Sequence, residues 1–349
     1  MSQVDTTTAA VPIRPWVASR SSQAKGLVAP LMIGIAAYLI VLFTGFAGAD
    51  GWALLFFLLI LAVSFVRSRK LGKTKLTNSM FNVVITGGAL LAFAPWLSIF
   101  YSLVSKGFHG IYLGYFYHDM RVTTPDDELN LGGVGHAIIG SSMMVLIATA
   151  ITLPLGILSG VYLTEVRGRL TRLVRFVVQS MSGVPSIVAG LFIFTTVVVT
   201  TQTFSGFAGS LALSILMLPT VARTAEEVLK LVPEDLRSAS YALGARQWRS
   251  SLMVVLPTVR SGLTTAAILG VSRVIGETAP LILTAQSISS FKFNPFSGQI
   301  ASIPMYIFAL LQIGTEYSMA RAWSGALVLM TIVFLLFVVA RRLGGKDKR

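Results

Sequence analysis

Apolar residues in this chain come in runs of roughly 17 to 25 positions, separated by short polar and basic stretches. That is the length needed to cross ~30 Å of hydrocarbon at ~1.5 Å per residue. Eight spans are predicted, near 27–48, 52–66, 80–104, 134–163, 176–199, 207–222, 254–284 and 322–340. No stretch alternates apolar and polar residues in the manner of a barrel strand. The spans are therefore expected to be helices, whose backbone groups bond within the segment. The second is short, and residues 300–313 are apolar enough to form a re-entrant or interfacial segment.

Between the runs the chain sorts itself into parts. Residues 1–26 are polar, carry Arg14, Arg20 and Lys25, and read as a cytoplasmic tail. Residues 27–75 form a two-helix hairpin, 76–343 the main transmembrane domain with one long loop at 223–251, and 344–349 a second tail. Ala47-Gly48-Ala49 imitates a signal-peptidase site, but the preceding apolar run exceeds the ~7–15 residues of a signal segment, so it is read as a retained span.

Hydrophobic residues make up 54% of the 349 positions and charged ones only 12%, against roughly 25% charged in soluble domains, so the solvent must be a bilayer. The net charge of +14 could suggest nucleic acid, but the cations lie in short loops beside apolar runs: Arg67, Arg69, Lys70, Lys73 and Lys75, then Arg167, Arg169, Arg172 and Arg175, then the C-terminal cluster. The 106–133 loop instead carries Asp119, Asp126, Asp127 and Glu128. This is the positive-inside asymmetry, and it predicts both termini in the cytoplasm and no nucleic-acid partner. Cysteine is absent and the three histidines, His109, His118 and His136, have no metal-ligand spacing. Leu71-Gly72-Lys73-Thr74 resembles the end of a phosphate-binding loop, but Arg67 stands where its first glycine belongs and no strand precedes it.

The most informative cytoplasmic stretch is 233–257, PEDLRSASYALGARQWRSSLMVVLP. Pro233 suits a first helical position, Glu234 and Asp235 complement the helix start, and Gly244 can take the left-handed turn that separates two short helices. Such a bent pair makes a stiff knob. The stretch is similar to the EAA loop of ABC-importer permeases: Ser238, Ala239 and Ser240 occupy the opening triplet, Gly244 follows after three residues, and Val254, Leu256 and Pro257 match the closing I-x-L-P. Ser238 stands where that family has glutamate and Ser240 where it has alanine.

Three more stretches narrow the resemblance: SGVPSIVAGL at 182–191, VSRVIGETAPLI at 271–282, and Pro295-Phe296 followed by Ile303-Pro304. With GGVGHAIIGS at 132–141 and PLGILSGVYLTEV at 154–166, they resemble the PstA-type permeases of bacterial phosphate importers over roughly residues 76–349. The resemblance implies an all-α type I permease core of six spans, here with an extra N-terminal hairpin, in the bacterial cytoplasmic membrane. It implies a transport subunit rather than an enzyme, working with a PstC-type permease, two ATPase subunits that bind ATP and Mg, and a phosphate-binding protein. No cofactor is expected in the chain itself. The rival readings are a molybdate or sulfate permease and a secondary anion transporter or channel.

Arg273 and Glu277 fall inside the predicted seventh span, where a charge costs about 2.5–3.5 kcal/mol and by default faces a partner or a water-filled path. Within one helix their i, i+4 spacing would place both on one face. They are read either as a structural ion pair or, as the resemblance implies, as groups on the phosphate pathway, Arg273 meeting the anion with its fork of donors and Glu277 positioning it. Gly156 and Gly160 form a small-xxx-small spacing read as helix packing. Pro185 and Pro219 are expected to kink their spans.

Overall fold

The computed structural model describes residues 20–44 and 48–344, and among these the regular structure is helical, with one isolated bridge between Ser205 and Gly298. The N- and C-terminal tails lie largely outside the described residues. The polypeptide divides into two compact units, Met1–Ile99 and Phe100–Arg349. In the first, α1 (Arg20–Thr44) and α2 (Gly48–Ser68) pack as a hairpin, with Trp52 Nε1 donating to the Gly34 carbonyl at 3.0 Å. A 3₁₀ turn and Gly72 (φ +95°) lead into α3 (Lys73–Gly107), whose residues from Phe100 onward belong to the second unit. Leu71-Gly72-Lys73-Thr74 is thus a helix connector. Ser64 and Ser79 share a 2.6 Å hydrogen bond between α2 and α3.

The second unit is built around α7 (Gly206–Lys230), two-thirds of whose apolar window is buried. It packs along α4 (Gly135–Val161), which continues through a π-helical turn, Tyr162–Val166. The small-xxx-small stripe lies at this contact: a Cβ on Gly156 would sit 2.7 Å from Val221 Cγ1, and one on Gly160 2.9 Å from Ala225 Cβ. Both positions admit only hydrogen because the helices approach backbone to backbone. Met144, Ala148, Leu213, Met217, Val221 and Val274 form the centre of the core.

Among the described residues, five helices are long and apolar enough to cross a membrane, Gly51–Ser68, Lys73–Gly110, Gly135–Val166, Gly206–Lys230 and Glu316–Val339, and seven if two bent pairs each count as one span. The multi-pass all-helical expectation holds. These seven do not include α1, in which the apolar stretch among the described residues is Pro30–Phe43.

Two predicted spans are not straight. The fifth, 176–199, is α5 (Thr171–Ser182) followed by α6 (Ser186–Ile193), whose axis turns by 108° before a π-turn and a last turn end it at Thr201. Pro185 lacks an N–H and starts α6 from an extended conformation (ψ 141°), which forces the break. Pro219, by contrast, lies inside the unbroken α7. The seventh span, 254–284, divides into a segment ending at Thr258, α10 (Arg260–Val274) at 75° to it, and α11 (Ala279–Thr284). Pro280 accounts for the second break, since its ring would meet the carbonyl of Gly276 in a continuous helix.

The sixth span also differs, because α7 runs two turns past Ala222 into the predicted 223–251 loop. The charges of Arg223, Glu226, Glu227 and Lys230 resemble loop composition, but Glu226 accepts from Arg175 at 2.9 Å and from Lys230 at 2.7 Å, so the helix carries its acid paired. Residues 303–313 form α12 (Ile303–Ile313), about 16 Å long and too short to span, which packs against α13 (Glu316–Gly344).

Candidate functional site

Two places in the second unit hold the residues singled out from the sequence. The first is the knob: α8 (Glu234–Ala242), a turn at Leu243–Arg246, and α9 (Gln247–Ser250), followed by a π-helical turn, Ser251–Val255, and Leu256-Pro257. Gly244 adopts φ +80°, with its N–H on the Tyr241 carbonyl at 2.9 Å and the next N–H reaching back to Ser240 at 3.1 Å. Nothing lies within 4 Å of where its Cβ would stand, so the glycine is required by the left-handed backbone and not by crowding. Pro233 is the residue before the first helical turn, with ψ 140°, rather than its first position. Ser240 is buried, whereas Ser238, Ala239 and Pro257 are exposed. The tip is apolar: Leu243 is 90% exposed, with Tyr241 and Trp248 also open.

The base of the knob is tied down by a residue that sequence reasoning missed. Arg237 donates through Nη2 to Glu165 Oε1 at 2.9 Å and through Nε to both carboxylate oxygens at 3.2 Å. It also donates to the carbonyls of Val232 at 2.7 Å and Leu229 at 3.0 Å. The side chains are 11% and 3% exposed, and the bonds to Glu165 hold the guanidinium above its ordinary pKa. Gln247 Nε2 adds a 2.6 Å bond to the Glu165 carbonyl. Both halves of the knob are thereby fastened to the π-turn of α4. The available signal was a lone acid, Glu165, beside a run of arginines, and an arginine next to Ser238, the position that departs from the family glutamate.

The second place is the break between α10 and α11. Arg273 is the penultimate residue of α10, roughly 20 Å along the helix from Arg260. Glu277 lies beyond the helix end, in the irregular segment before α11, with its N–H on the Val274 carbonyl at 3.1 Å. The two residues therefore do not share a helical face, because the helix has ended between them. Among the described residues no ion pair joins them. The Arg273 side chain is exposed and its Nη1 has a 3.3 Å hydrogen bond to Thr220 Oγ1 on α7. Glu277 is half-buried. Nearby, Gly190 of α6 packs against Pro280, where a Cβ would lie 2.6 Å from the proline Cα, so the bent spans meet close to this break.

At the opposite end of the unit from the knob, a third arginine organises the acidic loop. Arg321, 1% exposed at the start of α13, donates to the carbonyls of Pro125 (2.7 Å), Glu128 (2.7 Å) and Leu131 (3.0 Å). Tyr115 donates to the Arg321 carbonyl at 3.1 Å, and burial pushes the Tyr115 phenol well above its ordinary pKa. Hydropathy placed Arg321 just outside the eighth span and gave no hint of this role. Among the described residues no group of three His, Asp or Glu side chains could hold a metal ion.

A model described as "Binding-protein-dependent transport system inner membrane component" matches residues 152–346, which include the knob and the broken span. The chain is 38% identical over 269 residues to the phosphate transport system permease protein PstA of Yersinia pestis, covering 76% of this chain and 90% of that protein. It is 34% identical over 271 residues to PstA 1 of Mycobacterium tuberculosis, covering 77% and 88%. The chain belongs to the PstA-type binding-protein-dependent permeases. This permease is also similar in fold to a chain of the MetNI methionine ABC transporter in an inward-facing conformation, with a TM-score of 0.51 and 21% identity over 62% of this chain and 95% of that one. It is accordingly a multi-pass transport component rather than an enzyme. The matched region leaves α1 and α2 outside it.

Proposed function

We propose that the permease moves inorganic phosphate across the bacterial cytoplasmic membrane as one half of the pathway of an ATP-driven importer. The observation that carries this reading is the exposed Arg273 guanidinium at a helix break inside an apolar span, in a chain whose relatives are phosphate permeases. An arginine at that depth with a single hydroxyl contact keeps most of its donors for something outside this chain, and its planar fork matches phosphate oxygens. Glu277, held by the irregular backbone rather than by a partner cation, tunes the approach of the anion. A PstC-type permease supplies the facing wall, and a phosphate-binding protein delivers the ion on the side of the acidic loop.

The knob faces the cytoplasm, as do both termini, and docks on one of two ATPase subunits, which bind the ATP and Mg. The exposed Leu243, Tyr241 and Trp248 form the contact, while Arg237 and Glu165 pass the movement into α4. The test is phosphate uptake in cells lacking other phosphate systems, measured beside the yield of membrane-inserted protein. Arg273→Ala is expected to abolish uptake with normal yield, Arg273→Lys to leave a fraction because charge survives without the fork, and the double change with Glu277→Ala to remain inactive. Restored uptake in the double variant would return the pair to a structural role.

A further inference from the structure

The amphipathic helix α5 is not used by either place described above. Its twelve residues present three stripes. Val174 and Val178 turn inward, and Val178 is 5% exposed. Arg172, Arg175 and Gln179 form a polar stripe, and Leu173, Phe176 and Val177 an apolar one that stays open, Phe176 at 64%. At Pro185 the chain turns by 108° into α6, and residues 186–201 carry no charge. If α6 follows the membrane normal, α5 lies across it. Arg175 is bonded to Glu226 near the end of α7 that leads into the knob, so α5 sits at the knob end of the bundle. A helix with basic and apolar stripes, set across the direction of its neighbouring span, has the form of an interfacial helix.

The basic stripe is unevenly committed. Arg175 is occupied by Glu226, which Lys230 also holds. Arg169 and Arg172 have no ion pair or hydrogen bond among the described residues, and both are exposed. They open with Arg175, Phe176 and Gln179 onto a cleft of about 670 Å³. The loop ahead of the helix is held in place, since the Leu170 N–H donates to Tyr162 Oη at 3.1 Å and Thr171 Oγ1 donates to the Gly168 carbonyl at 2.8 Å. The two free guanidinia are therefore presented on a fixed backbone.

We infer that this cleft binds the phosphate headgroup of an anionic phospholipid in the knob-side leaflet, with Arg169 and Arg172 on the phosphodiester and an acyl chain along Leu173, Phe176 and Val177. A free phosphate would use the arginines but leave the apolar stripe uncovered. A lipid satisfies both, and each basic residue near an anionic surface contributes about 1 kcal/mol, which for two corresponds to a preference on the order of tenfold to thirtyfold. The inference does not depend on which solute the permease carries.

The test uses the full chain in inverted membrane vesicles, labelled with a photoreactive phosphatidylglycerol or with the matching phosphatidylcholine, and adducts mapped to residues 170–179 by mass spectrometry. The glycerol lipid should label this segment on the order of tenfold more than the choline lipid. Arg169→Gln with Arg172→Gln should erase that difference, Arg169→Lys with Arg172→Lys should keep most of it, and millimolar inorganic phosphate should leave it unchanged. The single change Arg169→Gln, at an exposed position, provides a reduced preference should the double variant fail to accumulate. Equal labelling by the two lipids overturns the proposal, as does loss of the adduct to inorganic phosphate, which would mark a free-anion site. Adducts that appear only after peripheral subunits are stripped from the vesicles would assign the face to a protein partner and overturn it too.

Discussion

Arg237 and Arg273 are both arginines of the same bundle, but their surroundings are opposite. Arg237 spends its donors on Glu165, Glu234 and two carbonyls and is nearly buried, as Arg321 is at the far end with its three carbonyls. Among the described residues Arg273 has a single hydroxyl contact, and it is exposed. A charge that holds a fold together is saturated, because leaving any of its partners unmet inside the protein is costly. A charge left with spare donors inside an apolar span contributes little to the fold, and on the proposed reading it is kept for an encounter. Saturation, more than mere presence in a span, separates the two kinds of residue here.

The comparison can be broken by asking what each arginine is worth to the folded state. Arg237→Ala should have the largest effect, on the order of 3–5 kcal/mol, because it strands the buried Glu165 carboxylate. Thermal unfolding in detergent reads it, and Arg237→Ala with Glu165→Ala should recover much of the loss. Recovery of stability without recovery of transport would show that the link to α4 also transmits motion. Arg321→Ala should follow at about 2–3 kcal/mol, the cost of charged hydrogen bonds to three carbonyls, and should make the 119–132 loop susceptible to protease.

Gly244→Val should cost about 1–2 kcal/mol through the left-handed backbone, with Gly244→Asn milder because asparagine tolerates that region. Here the sharper measure is transport-coupled ATP hydrolysis, which should fall in the valine variant beyond what reduced protein yield explains. Arg273→Ala closes the series with a stability change below about 0.5 kcal/mol and a complete loss of uptake. A large loss of stability at Arg273 would remove the distinction drawn between the two arginines.

Much of this was legible in the sequence. Run length placed the spans α4, α7 and α13, since crossing a bilayer is a constraint on consecutive residues. The Gly244 and Leu256-Pro257 spacing located the knob, and the turn at Gly244 formed as its residue type predicted. Hydropathy has no direction, however, so 176–199 and 254–284 read as straight spans although prolines bend them sharply. The same blindness put Arg273 and Glu277 on one face of a helix that stops between them. Arg237 with Glu165, and Arg321 with residues 125–131, are joined across 72 and about 190 residues of chain, and no local pattern announces such pairs.

The close stacking of α4 on α7 at Gly156 and Gly160 has a mechanical consequence. Side chains usually form a compliant layer between helices, able to take up a small displacement by changing rotamers. At these two positions the layer is thin, since only the Val221 and Ala225 side chains of α7 stand between the two backbones and α4 adds none. The knob grips both members of the pair, α7 through the chain that continues from Lys230 and α4 through Arg237 on Glu165. On the proposed reading, a push on the knob therefore has two anchor points on a closely packed pair of helices. With both helices held, the expected response is a shift of the pair together rather than a twist of one helix, delivered to the broken span beside it.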